Sequence, residues 1–224
     1  MVHRSQQADR ILELARQEAD RFGHRYLGPE HLVLGLLRDG GNGAARVLRA
    51  YGVELPAAQA ALGRLAERGV VPGPRPSDAE LLGTLGIDLE AIRRTTQQAF
   101  GGTALGWAIR EATRARRGGI GRVPRTPLRD PPWLIGQTLF HAGEQARALG
   151  LEVIGPELLL VGVVTDVQTP RPRCMDNRWR RALHASVGLP RRYRGAAGPL
   201  LAAFGIDLQQ LRAALLAELR AGVP

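Results

Sequence analysis

The chain has 224 residues, of which 44% are hydrophobic and 23% are charged, a balance typical of a folded protein. Its one cysteine, Cys174, excludes an internal disulfide and a zinc site built from several cysteines. All 31 basic residues are arginine, which excludes a lysine-containing phosphate loop and any catalytic lysine.

In chain order, the first predicted element is a helix over residues 8–22, where apolar side chains recur at helical spacing. A turn at Gly23 leads to a very apolar helix from Pro29 to about Leu37, and proline suits the first position of a helix. A third helix over residues 44–51 ends at Gly52. A fourth runs from about Leu55 to Glu67.

The stretch at residues 28–37, Gly-Pro-Glu followed by His31 and an apolar run, returns 127 residues later at residues 155–164 as Gly-Pro-Glu followed directly by an apolar run. The same offset relates Ala15 to Ala142, and it holds without a gap over roughly twenty positions. Such an offset indicates a duplicated helical unit, whose second copy begins near Trp133. We therefore expect Pro29–Leu37 and Pro156–Val164 both to be helices.

The junction between the third and fourth helices occurs three times, at residues 52–55, 86–89 and 205–208. In each copy a glycine ends one helix, an apolar residue packs back, and an acidic residue caps the next helix. The middle copy predicts an additional helical hairpin over about residues 77–100. We expect it to pack on the first unit through five apolar residues: Leu81, Leu82, Leu85, Leu89 and Ile92.

Together these patterns predict an all-α protein in four parts. A first repeat occupies residues 1–69, and a linker with the extra hairpin occupies residues 70–102. An arginine-rich linker follows over residues 103–132. A degenerate second repeat occupies residues 133–224 and carries an arginine-rich insertion at residues 167–195.

The formal net charge of +10 is concentrated in two segments. Residues 109–129 hold seven arginines against one glutamate, and residues 169–195 hold eight arginines against one aspartate. One interpretation is a pair of solvated linkers. The other is electrostatic attachment to nucleic acid or an acidic protein surface, where Trp179 could stack on a base. No helix-turn-helix or zinc-finger signature supports specific DNA recognition.

The sequence contains no run of about 18 uncharged apolar residues and no apolar signal core at its N-terminus. We therefore expect a cytoplasmic protein without a membrane segment.

The two Gly-Pro-Glu hairpins, each closed by a Gly-Val/Ile-acid-Leu junction, resemble the double repeat of the Clp N-terminal domain, most closely of the ClpC type. Residues 8–68 match one repeat, and residues 133–164 with 197–219 match a degraded second copy. The resemblance implies a free-standing, non-catalytic recognition module. Its partners would be a Clp-type unfoldase, adaptor or substrate proteins, and a peptide or phosphoarginine ligand.

In that family a glutamate holds the guanidinium of phosphoarginine and a threonine near the start of the repeat holds the phosphate. The resemblance places Glu30 in the first role and Ser5, which keeps the hydroxyl, in the second. Arg4 replaces the usual aromatic residue and could add a charge-assisted bond to the phosphate. His31 completes the motif of the first repeat.

In the second repeat Glu157 matches the glutamate, but its hydroxyl partner is ambiguous. The gapless alignment gives Pro132, whereas a similar local sequence gives Thr126, with Arg125 before it. The histidine is replaced by Leu158. The resemblance therefore implies that the second site binds more weakly than the first or not at all.

Glu30 and His31 also have purely structural interpretations, which remain open at this point. Glu30 could only stabilise the start of its helix, which is worth about 0.3–1 kcal/mol, and His31 could be an ordinary helix-surface or half-buried histidine. The pair lacks the second histidine one turn away that a zinc protease requires. No catalytic grouping stands out, so we expect no enzyme activity, no metal and no cofactor.

Overall fold

The computed structural model describes residues 2–24, 26–72, 86–88, 91–92, 94–95, 98, 132–169, 189 and 193–221. The chain divides into two compact units, one formed by residues 1–75 and 129–224 and the other by residues 76–128. In the second unit the described residues are short pieces around Asp88, whose side chain accepts a hydrogen bond from the Ala91 amide (2.9 Å). Of the five residues expected to pack this hairpin, only Ile92 is described.

The first unit is helical, which confirms the all-α prediction. Its described residues form eight helices and two very short strands: β1 (His3–Arg4), α1 (Gln6–Arg21), α2 (Pro29–Asp39), α3 (Gly43–Ala50), α4 (Leu55–Glu67), α5 (Pro132–Ala148), β2 (Val153–Ile154), α6 (Pro156–Gln168), α7 (Ala197–Ala202) and α8 (Leu208–Ala221). Both Gly-Pro-Glu segments are helices, as the repeat predicts.

Helices α2 and α6 are central in the first unit. Every residue of α2 from Pro29 to Leu37 is buried, and α6 is buried nearly throughout its length. Their almost continuous apolar sequence follows from contacts with other elements on all sides. One hydrophobic core contains side chains of both repeats, so the repeats do not form separate cores in the described part of the chain.

Each repeat begins with a tightly packed helical hairpin, and a glycine permits the close approach. A Cβ added at Gly35 of α2 would lie 2.7 Å from the Ile11 carbonyl oxygen and 2.8 Å from the Ala15 nitrogen of α1. At Gly162 of α6 it would clash with the Thr138 carbonyl oxygen of α5. These contacts occupy equivalent positions in the two copies, which explains why glycine recurs inside both helices.

The two repeats are interleaved. Strand β1 pairs in parallel with β2, and the Ser5 amide donates to the Ile154 carbonyl (3.1 Å). Helix α8 of the second repeat packs on α3 of the first, and α4 of the first packs on α7 of the second. The sequence did not predict this two-stranded sheet, because two residues are too few to show an alternating pattern.

Candidate functional site

Ser5 and Arg4 serve the start of α1. The Ser5 hydroxyl accepts a hydrogen bond from the Ala8 amide (3.0 Å), which is the contact of an N-cap. The exposed Arg4 guanidinium donates from Nε to Asp9 (2.6 Å), one turn further along. Both side chains therefore have local structural partners, and Ser5 shares no hydrogen bond with Glu30 within the described residues.

Glu30 lies in the first turn of α2 and is fully buried. Its Oε1 accepts a hydrogen bond from the Tyr193 hydroxyl (2.9 Å), and its Oε2 accepts one from the Ala196 amide (2.8 Å). Both donors come from the segment that leads into α7. Because both oxygens are bonded and the side chain has no exposure, the carboxylate is closed to an external ligand in this conformation.

A second tyrosine extends this network. The Tyr26 and Tyr193 hydroxyls lie 2.9 Å apart, and because Tyr193 donates to the carboxylate, Tyr26 must donate to Tyr193. Burial, together with the charge of Glu30, raises the pKa of both hydroxyls far above the usual range. The two tyrosines thus stay protonated and remain donors.

His31 and His24 form a buried pair beside the network. The Gly28 amide donates to His31 Nδ1 (3.0 Å), so the neutral ring carries its proton on Nε2 and donates it to His24 Nδ1 (2.8 Å). Burial lowers the pKa of His31 to about 3, and burial with the adjacent His31 lowers the pKa of His24 to about 4. His31 therefore serves as a neutral cap at the start of α2.

Glu157, the counterpart of Glu30, is half-buried at the start of α6. Its Oε1 accepts a hydrogen bond from the Gly43 amide at the start of α3 (2.9 Å). Within the part of the chain that the structure describes, Oε2 accepts no hydrogen bond. Glu218 of α8 lies next to Gly43 and forms an ion pair with Arg46. This carboxylate is thus the more accessible of the two.

The two glutamates make equivalent contacts across the repeats. Gly43 lies nine residues before Gly52, and Ala196 lies nine residues before Gly205. The backbone amides of both residues therefore lie at the start of the third helix of their repeat. Each glutamate therefore accepts a hydrogen bond from the third helix of the other repeat, where a negative charge also meets the positive end of that helix.

The structure brings Glu30 and His31 together, with His31 Nδ1 3.9 Å from Glu30 Oε1. Thr126 lies outside the described residues. The sequence did not predict the role of Tyr193, which comes from the arginine-rich insertion. It also did not predict that the backbone amides of Gly43 and Ala196 bond the two glutamates. Aligning the repeats on Gly52 and Gly205 would have paired Gly43 with Ala196, but nothing in that alignment identifies Glu30 as their contact.

Within the described residues, no group of three or more His, Cys, Asp or Glu residues could hold a metal ion. Among the helices described, none has the length and apolar character needed to cross a membrane.

Comparison with known proteins gives one family match: residues 4–80 match the Clp repeat (R) N-terminal domain. Over 54 residues, 24% of this chain and 7% of the relative, the chain is 46% identical to the negative regulator of genetic competence ClpC/MecB of Bacillus subtilis. Over 153 residues, 67% of this chain and 16% of the relative, it is 29% identical to the ClpA homolog CD4B of Solanum lycopersicum, a Clp protease ATP-binding subunit.

Among solved structures, the chain is similar to the N-terminal domain of the chaperone ClpD from Arabidopsis thaliana. The TM-score is 0.52 at 16% identity, and the match covers 97% of this chain and 94% of the other. This likeness shows a shared fold. By contrast, the chain spans only 7% and 16% of the lengths of the two curated relatives.

Proposed function

Because residues 4–80 match the Clp repeat (R) N-terminal domain, we propose that this chain is a non-catalytic recognition module that binds adaptor or substrate proteins of a Clp-type unfoldase. The family match is the observation that carries this proposal, and the fold shared with the ClpD N-terminal domain supports it. The interleaved repeats also form one packed scaffold, because both contribute side chains to one core.

Accessible carboxylates define the ligand chemistry that we propose. A carboxylate with a free oxygen can bind a guanidinium through charge-assisted hydrogen bonds. Glu157 is half-buried and has Oε2 unoccupied among the described residues, whereas both oxygens of Glu30 are bonded inside the protein. We therefore propose Glu157 as the first contact for an arginine or phosphoarginine ligand, the reverse of the order that the sequence resemblance implies.

Isothermal titration of phosphoarginine into the full chain tests this site. Glu157→Gln should lower the affinity by roughly tenfold or more, because a charge-assisted bond becomes a neutral one. Glu144→Gln is a matched control, since Glu144 is an exposed helical carboxylate whose one ion-pair partner among the described residues is Arg147 of its own helix. Equal affinity for wild type and Glu157→Gln would remove Glu157 from the site.

Direct binding of a protein ligand tests the function itself. The immobilised chain is exposed to a purified ClpC-type adaptor and to an unfolded substrate of the same unfoldase. We expect saturable binding of at least one of them at micromolar concentration. Failure to bind either protein, with the helical circular dichroism spectrum of the chain intact, would contradict the proposal.

The charge distribution supports a second candidate function. The two arginine-rich segments carry +6 and +7, which together exceed the net charge of +10, and segments of this kind can bind nucleic acid through its phosphates. A nucleic-acid-associated protein on a helical scaffold remains the alternative, and the salt dependence described below separates it from the first.

A further inference from the structure

The segment at residues 193–196, here called the Tyr193 segment, lies directly on the Glu30 carboxylate. We propose that this segment is an internal occupant of the first-repeat site, which keeps Glu30 closed to external ligands until the segment is displaced. The inference rests on the proposed function, because it concerns regulation of the same pair of glutamate sites.

The Tyr193 segment supplies two donors to two acceptors. The Tyr193 hydroxyl bonds Oε1 at 2.9 Å and the Ala196 amide bonds Oε2 at 2.8 Å, which is the pattern in which a donor fork meets a carboxylate. An external ligand that uses this carboxylate must replace both bonds. The segment therefore competes with it for the same atoms.

Gly195 makes this close approach possible. Its φ of +93° lies in the region that favours glycine. A Cβ at this position would lie 2.6 Å from Pro29 Cδ and 2.9 Å from Glu30 Oε2. The segment can lie on the first turn of α2 only because this residue has no side chain.

The second repeat lacks the equivalent of this closure. Tyr193 lies three residues before Ala196, and the residue three before Gly43 is Gly40, which has no hydroxyl to donate. Glu157 accordingly keeps the backbone bond from Gly43, but no side chain among the described residues donates to its second oxygen. Tyr193 thus closes one site, while the other stays half-exposed.

An aromatic cluster holds the Tyr193 segment in place. Tyr193 packs edge-on against Tyr26, with ring centroids 5.5 Å apart, and both belong to a buried cluster with Leu134 and Leu189. The hydroxyls of the two tyrosines also bond each other. Displacement of the segment therefore breaks three hydrogen bonds and separates a packed aromatic pair, so weak ligands should not open the site by themselves.

Carboxyl labelling of the full chain with a water-soluble carbodiimide and an amine, read by peptide mass spectrometry, tests closure without any ligand. In wild type we expect Glu157 to react at least tenfold faster than Glu30. Tyr193→Phe removes one donor and Gly195→Ala obstructs the approach, and each should raise the Glu30 rate by roughly tenfold or more relative to Glu157.

Two matched controls accompany these variants. Tyr51→Phe removes a tyrosine hydroxyl elsewhere, and Gly205→Ala imposes the same kind of backbone strain (φ +67°) where an added Cβ meets no atom within 4 Å. Neither should change Glu30 labelling. If Tyr193→Phe does not fold, the labelling of Gly195→Ala and the ratio of the Glu157 and Glu30 labelling rates in wild type still test the closure. Equal wild-type rates at Glu30 and Glu157, or a protected Glu30 in a folded variant, would overturn the inference.

Phosphoarginine titration separates this inference from the proposed function. If Tyr193→Phe and Gly195→Ala expose Glu30 and the variants gain a second binding event, the closure and the proposed ligand chemistry are both supported. If they expose Glu30 but no variant, nor wild type, binds phosphoarginine, closure stands and the proposed ligand chemistry fails.

Discussion

Addition of one methyl group where the hairpin helices touch is the sharpest test of the packing. Gly35 lies inside α2 with ordinary helical backbone, where alanine would by itself stabilise the helix by about 1 kcal/mol. An added Cβ would, however, lie 2.7 Å from the Ile11 carbonyl oxygen and 2.9 Å from Ala15 Cβ. We therefore expect Gly35→Ala to destabilise the protein.

The magnitude follows from two opposing effects. Overpacking of a dense core typically costs about 1–3 kcal/mol, and here the clash is with backbone atoms, which cannot change rotamer. Because backbone atoms cannot move aside easily, we place the cost at about 2–3 kcal/mol, so the net loss after a gain of about 1 kcal/mol in helix propensity should be about 1–2 kcal/mol. Gly162→Ala, which meets the Thr138 carbonyl oxygen at the equivalent position of the second repeat, should lose a similar amount.

Gly63→Ala provides the matched control, because an added Cβ in that helix meets no atom within 4 Å. It should gain up to about 1 kcal/mol. Urea unfolding followed by circular dichroism measures all three variants. A free energy of unfolding for Gly35→Ala equal to or above that of wild type, with unchanged denaturant dependence, would refute the close packing of α1 on α2.

Three further predictions concern pH, a helix cap and salt. Because His31 and His24 have lowered pKa values in the folded protein (about 3 and about 4), the unfolded state binds more protons between about pH 3 and 6.5, so stability falls with acidification. Between pH 7 and pH 5, protonation linked to His31 should lower the free energy of unfolding by about 2 kcal/mol. Urea unfolding at both pH values measures this change, and equal stability would contradict the buried neutral state of His31. Asn42→Ala should lower the free energy of unfolding by about 1–2 kcal/mol in the same assay. The Asn42 amide oxygen accepts a hydrogen bond from the Ala45 amide (2.8 Å), and its amide nitrogen donates to the Leu36 carbonyl (2.9 Å). A change below roughly 0.5 kcal/mol, the size of a neutral surface substitution, would contradict the cap. Binding of single-stranded DNA, if the arginine-rich segments bind nucleic acid, should fall steeply with salt, whereas binding of a Clp adaptor should change much less.

The helical hairpins could be predicted from sequence, because their signals are local. Apolar spacing over residues 8–22 and the Gly-Pro-Glu start at residue 28 determine where helices begin and which faces are buried. The repeat then transfers the same prediction to residues 155–164. Both segments are helices in the structure, and the glycines inside them mark the helix contacts.

The state of each glutamate could not be predicted, because it depends on residues far away in the chain. Glu30 meets Tyr193 and Ala196, more than 160 residues away, and Glu157 meets Gly43, 114 residues away. The sequence identifies a carboxylate at a helix start but not the helix that it caps. For Tyr193 the arginine-rich composition around it indicates solvent, whereas the structure buries the ring.

Competition for a shared protein ligand tests the proposed function most directly. The rate at which a ClpC-type unfoldase and its peptidase degrade an adaptor-dependent substrate is measured while this chain is added in increasing excess. A chain that binds adaptor or substrate should lower the degradation rate in proportion to the ligand it removes, and extra adaptor or substrate should restore that rate. An unchanged degradation rate at large excess of folded chain would contradict the function proposed here.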